Sequence, residues 1–147
     1  SNNKLVEAEQ SLNESLKLKS DYSVAYFTLG QVYEKQGKSK EAIIETQKSL
    51  SLSPQDLGVI LQLGILYYRT DQLEPAKGLM EQAVAIYPNN SSFRELLGLV
   101  YDKSGLKDKA VEQFEAELKL NPGNPQIKNL IDNVKSGKPA ITPASGQ

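Results

Sequence analysis

The chain has 147 residues, 17 basic and 18 acidic, for a net charge of −1, with 39% hydrophobic residues. So balanced a charge supplies no broad field for nucleic acid or an anionic membrane. It contains neither histidine nor cysteine, which removes disulfides, thiol chemistry, the commonest general base and the commonest soft metal ligands.

Apolar residues three and four apart predict helices over 4–18, 23–36, 39–52, 57–70, 73–86, 91–104, 107–120 and 125–135. The first helix carries Leu5, Ala8, Leu12 and Leu16 on one face. It therefore calls for a preceding helix to pack against, and the expectation is a piece of a longer protein. The turns QGKS, TDQ and SGLK join helices in pairs, with Gly37 and Gly105 suited to a left-handed helix end. Between pairs, SPQD, YPNNSS and NPGNP combine a proline stop with a residue able to cap the next helix. The last helix, PQIKNLIDNVKS, turns Ile127, Leu130, Ile131 and Val134 inward and Lys128, Asp132 and Lys135 outward, as a polar cap does. Residues 137–147, GKPAITPASGQ, read as disordered. The longest apolar stretch, VILQLGILYY, is too short for a membrane span of roughly 20 residues.

One spacing runs through all of this. Gly30, Gly64 and Gly98 stand 34 residues apart, each within LGQVY, LGILY or LGLVY; Ala42, Ala76, Ala110 and Pro54, Pro88, Pro122 keep the same interval. A kept period of this length means an array of one supersecondary unit. A glycine inside a helix costs roughly 1 kcal/mol against alanine, so a close helix crossing is expected at each, with Tyr33, Tyr67 and Tyr101 filling the space between pairs. The pattern resembles the tetratricopeptide repeat (TPR) family: whole repeats over 23–56, 57–90 and 91–124, a second helix from an earlier repeat over 1–21, and a capping helix over 125–136. The usual aromatic of the second helix is replaced by Thr46 and Met80 and kept as Phe114. The fold this implies is an all-α, right-handed α-solenoid.

The resemblance implies a concave groove lined by the first helices. Carried over residue by residue, its positions are Val24, Phe27, Gln31 and Glu34, then Gly58, Leu61, Ile65 and Tyr68, then Ser92, Glu95, Leu99 and Asp102, with Lys35, Arg69 and Lys103 along the rim. An apolar floor with a charged edge suits a peptide or an amphipathic helix. Chaperone-binding relatives hold a terminal carboxylate with a cationic clamp; here those places hold Phe27, Gln31, Gln62, Ser92 and Leu96, so acidic chaperone tails are not the expected ligand. The pairs and clusters Glu7/Glu9, Glu41/Glu45 and Glu112/Glu115/Glu117 read as solvated helix faces. No phosphate loop, dinucleotide glycine motif or EF-hand loop occurs.

The expectation is a non-catalytic protein-interaction scaffold with a protein or peptide ligand, no cofactor, no metal, no nucleic acid and no membrane insertion of this segment. Self-association through Lys4–Leu18 and the groove is a second expectation. QGKSKEA and NLIDNVKSGKPAI are also similar to bacterial proteins in which C-terminal repeats follow a multispan membrane portion, such as O-antigen-ligase-like envelope proteins. That resemblance implies an accessory extracytoplasmic or periplasmic domain.

Overall fold

A computed structural model describes residues 2–141. Among them the chain forms eight helices: α1 (Asn2–Leu18), α2 (Ser23–Lys35), α3 (Ser39–Leu52), α4 (Leu57–Arg69), α5 (Leu73–Ile86), α6 (Ser91–Lys103), α7 (Lys107–Leu120) and α8 (Pro125–Lys135). The fold is an all-α solenoid of helical hairpins. No helix among the described residues is long and apolar enough to cross a membrane.

Local chemistry sets the helix ends. Asp56 accepts from the amides of Gly58 and Val59, Asn90 from that of Phe93, and Asn124 from those of Gln126 and Ile127. Each satisfies N–H groups that a helix start leaves without intrahelical partners. Within the hairpins Gly37 and Gly105 have φ of 76° and 77°, and Asp71 takes the corresponding place at φ 59°. An aspartate tolerates that region better than most side chains.

Residues up to Thr70 form one compact unit and those from Asp71 a second. In the first, α2 packs on α3, α1 on α2 and α3 on α4, and its buried residues include Ala25, Leu29, Val32, Ala42, Ile43, Val59, Ile60, Leu63 and Leu66. The glycine crossing is as tight as the sequence implies: a Cβ on Gly30 would sit 2.6 Å from Thr46 Oγ1 and 3.2 Å from the Ala42 carbonyl oxygen. Thr46 is fully buried, and its hydroxyl donates to that same carbonyl at 2.7 Å.

The second unit packs α6 on α7, α5 on α6 and α7 on α8, and its buried residues include Met80, Phe93, Leu97, Val100, Phe114, Ile127 and Val134. A Cβ on Gly98 would come within 2.8 Å of Cδ1 and Cζ of the buried Phe114 ring, and nearer still to Cε1. Tyr101 Oη donates to Glu81 at 2.7 Å, and in the first unit Tyr67 Oη accepts from Gln47 Nε2 at 2.6 Å. Both pairs span 20 residues, so the repeating tyrosine meets the same place on the preceding second helix.

The expected disorder from residue 137 is corrected over 137–141. Gly137 turns left-handed at φ 79°, and the amides of Gly137 and Lys138 return to the carbonyls of Val134 and Asn133. The chain is then held at Ala140, which is 2% exposed. Its amide donates to Asp102 Oδ2 at 2.8 Å and its carbonyl accepts from Asn133 Nδ2 at 3.0 Å. A small apolar residue with both backbone groups satisfied is buried without penalty. Residues 142–147 of the expected tail lie outside the described residues.

Candidate functional site

The groove positions divide between the two units. On α2, Val24 is 57% exposed, and Phe27, Gln31 and Glu34 are half-buried; on α4, Leu61, Ile65 and Tyr68 are half-buried and Arg69 is exposed. Val24, Phe27, Leu61 and Ile65 thus leave accessible apolar surface on the first unit's two first helices. Glu34 is already engaged: Gln62 donates to one carboxylate oxygen and Arg69 pairs with the other. The polar edge of this surface is held by its own network, in which Gln62, absent from the predicted groove set, joins α2 to α4 together with Arg69.

In the second unit Ser92 is exposed, Glu95 half-buried, Leu99 9% exposed and Asp102 partly covered. The described chain itself uses Asp102, which takes the Ala140 amide and, at 3.5 Å, Lys107 Nζ. Leu99 belongs to the core rather than to an open floor. Lys35 and Lys103 lie exposed beside Glu34 and Asp102, and Lys103 pairs with Asp71 at 2.5 Å.

Among the expected solvated carboxylates, Glu9 pairs with Lys38 at 3.3 Å, Glu45 with Lys48 at 2.9 Å and Glu115 with Lys135 at 2.7 Å. The Gln36 hydrogen bond, with Lys38 behind it, lowers the Glu9 pKa, and the Lys135 contact lowers that of Glu115. Glu117 is a correction. It is 1% exposed, because three residues after Phe114 it falls on the buried face of α7. Asn121 Nδ2 donates to its Oε1 at 2.8 Å, while Oε2 is buried with no hydrogen-bond partner. Burial, and then the charge of Glu117, raise the pKa of Glu95. No three histidine, cysteine, aspartate or glutamate side chains converge as a metal site among the described residues.

Family models described as tetratricopeptide repeat match residues 23–56 and 61–125, together more than half of the chain. The chain belongs to the tetratricopeptide repeat family. A TPR structure of the same fold, the crystal structure of MamA, is 25% identical, with 88% of this chain and 75% of that one aligned at a TM-score of 0.80. YrrB, described as a TPR protein with an unusual peptide-binding site, is 24% identical over 92% of this chain and 70% of its own, at a TM-score of 0.79. Anaphase-promoting complex subunit 3 of Schizosaccharomyces pombe is 21% identical over 115 residues, or 78% of this chain. The match spans only 17% of that protein's length.

Proposed function

We propose that this TPR chain is a non-catalytic protein-interaction scaffold whose first-helix surface binds a peptide or an amphipathic helix. The observation that carries the reading is the accessible apolar row Val24, Phe27, Leu61 and Ile65 on α2 and α4. Apolar surface kept open between fixed polar groups is what an inserted helix or extended segment covers. The likeness to YrrB, a peptide-binding protein by its description, adds support. Scaffold and ligand are separate matters, since one fold hosts many functions.

Cross-linked capture from a native extract tests it, comparing the wild type with the Phe27→Glu, Ile65→Glu double variant. Both positions are only half-buried, so helicity by circular dichroism is expected to persist while a specific partner is lost. Unchanged capture by a folded variant overturns the reading. Recovery of the chain alone overturns it in favour of self-association.

A further inference from the structure

The pairing of α6 with α7 brings two carboxylates, Glu95 and Glu117, near enough for the charge of one to act on the other. Gly98 lies against Phe114, and Asn121 Nδ2 donates to Ser91 Oγ at 2.9 Å. These contacts bracket one antiparallel stretch of α6 against α7. Glu95 lies between Ser91 and Gly98, and Glu117 between Phe114 and Asn121, so both acids fall within this stretch. In the other two whole repeats the same sequence positions hold Phe27 with Ser49 and Leu61 with Ala83. Only the third repeat puts acids at both.

Nothing in the described chain neutralises the pair. Asn121 bridges Glu117 Oε1 to Ser91, which draws the carboxyl group over the first turn of α6. Its second oxygen remains buried and unpartnered. A buried acceptor without a partner is costly and calls for an explanation. The adjacent cation in sequence, Arg94, is turned elsewhere, with Nε on the Pro88 carbonyl at 2.6 Å and Nη1 on Gln113 Oε1 at 3.2 Å. Lys135 is engaged with Glu115. Glu95 is half-buried, so it keeps one side toward solvent, with Glu117 behind it.

We propose that Glu95 and Glu117 form a receptor for one cationic side chain, a lysine ammonium or arginine guanidinium, carried by the bound protein segment. The inference rests on the first-helix reading, applied to α6 of the second unit by itself, and the half-buried Glu95 marks the side of approach. A ligand cation entering there supplies the donor that Glu117 Oε2 lacks and offsets the mutual repulsion of the two acids. A guanidinium, planar and with several donors, can address both carboxylates at once. The site has the opposite charge preference from a carboxylate clamp.

The test uses N-butylguanidinium and n-butylammonium as probes of the whole 147-residue chain, followed through the 13C signals of the glutamate side-chain carboxyls. The expected result is a saturable shift of Glu95 and Glu117 that sodium chloride at equal ionic strength does not reproduce. Glu95→Gln and Glu117→Gln, close in size and checked for helicity, should each weaken it about tenfold, the loss of one charge-assisted hydrogen bond. A non-saturable shift equal to that of sodium chloride overturns the proposal. So does a saturable shift given equally by calcium chloride, which would reassign the pair to a metal ion.

Peptide display on the same proteins separates this from the groove reading. Wild-type selection should fix a basic residue at one position of the recovered peptides, and Glu95→Gln should retain peptides without that preference. Peptides lacking the preference on the wild type overturn the receptor and leave the groove intact. A saturable guanidinium shift with no peptide recovered overturns the groove reading and, with it, the delivery of the cation by a bound segment.

Discussion

The first whole repeat and the third solve one crossing with different chemistry. In α2 and α3 the helical Gly30 faces a threonine whose hydroxyl is satisfied by its own helix, at Ala42. In α6 and α7 the helical Gly98 faces the ring of Phe114, which fills the interior by bulk. The glycine is needed in both, yet its removal should cost different amounts. A hydroxyl can rotate at the expense of one hydrogen bond, whereas a fully buried ring must displace its neighbours.

The largest break in the comparison comes from emptying the third crossing. Phe114→Ala should destabilise the chain by about 3–5 kcal/mol, because it leaves a ring-sized cavity under α6. Thr46→Ala, its counterpart, should cost about 1 kcal/mol, since it deletes the hydroxyl together with the bond it makes. Urea unfolding of both variants decides this, and equal losses would mean that Phe114 is not the element that holds its hairpin.

Smaller is the effect of filling the crossing. Gly98→Ala should cost about 1–3 kcal/mol through overpacking, reduced by the roughly 1 kcal/mol that alanine gains in a helix. Gly30→Ala should cost less. The diagnostic is coupling: in a Phe114→Leu background the Gly98→Ala penalty should shrink, and strict additivity in the double-mutant cycle would contradict the proposed clash.

That contrast also marks what was legible in the sequence. The 34-residue period sets all eight helices, because proline stops, capping residues and glycine turns recur with it. The crossings at Gly30 and Gly98 follow from the cost of a helical glycine. Misread features are those in which one residue departs from its register. Glu117 looks like one member of a charged surface run, yet its position is that of Ser49 and Ala83, and the period, given more weight than charge, places it inside. Ala140 could not be found that way. Its burial depends on Asp102 and Asn133 converging on one peptide group, and no periodicity encodes that. The accessible apolar row was readable, but the internal use of Glu34 and Asp102 depends on side-chain geometry.

The two repeats should also differ in their response to pH. Glu95 has a folded pKa above the ordinary 4.5, through burial and then the charge of Glu117. In the window between those values the folded state binds more protons, so this contribution to stability grows as pH falls into the window and is lost as pH rises through it. Below 4.5 the sign reverses for Glu9 and Glu115, whose lowered pKa values make their contributions disappear on further acidification. Urea unfolding across this range should show the upper feature in the wild type, reduce it in Glu117→Gln and abolish it in Glu95→Gln.

The smallest effect sharpens the comparison at the tyrosines. Tyr67 takes a hydrogen bond from the neutral Gln47, whereas Tyr101 gives one to the carboxylate of Glu81. Burial, and then that hydrogen bond and the Glu81 charge, push the Tyr101 pKa up from 10.0 to about 12. Ionising Tyr101 would bury a phenolate and set it against a carboxylate, so the folded chain holds the proton longer than the unfolded one. The contribution of Tyr101 to stability is therefore complete below pH 10 and declines as pH rises from there toward 12. Glu81→Gln, which installs the partner found beside Tyr67, should bring the Tyr101 transition down in an ultraviolet titration without returning it to 10.0, because burial, the larger cause, stays in place. A return to 10.0 would show that the carboxylate alone sets the shift. Tyr101→Phe should cost about 1 kcal/mol, the worth of one hydrogen bond, and leaves Glu81, which is exposed, to water.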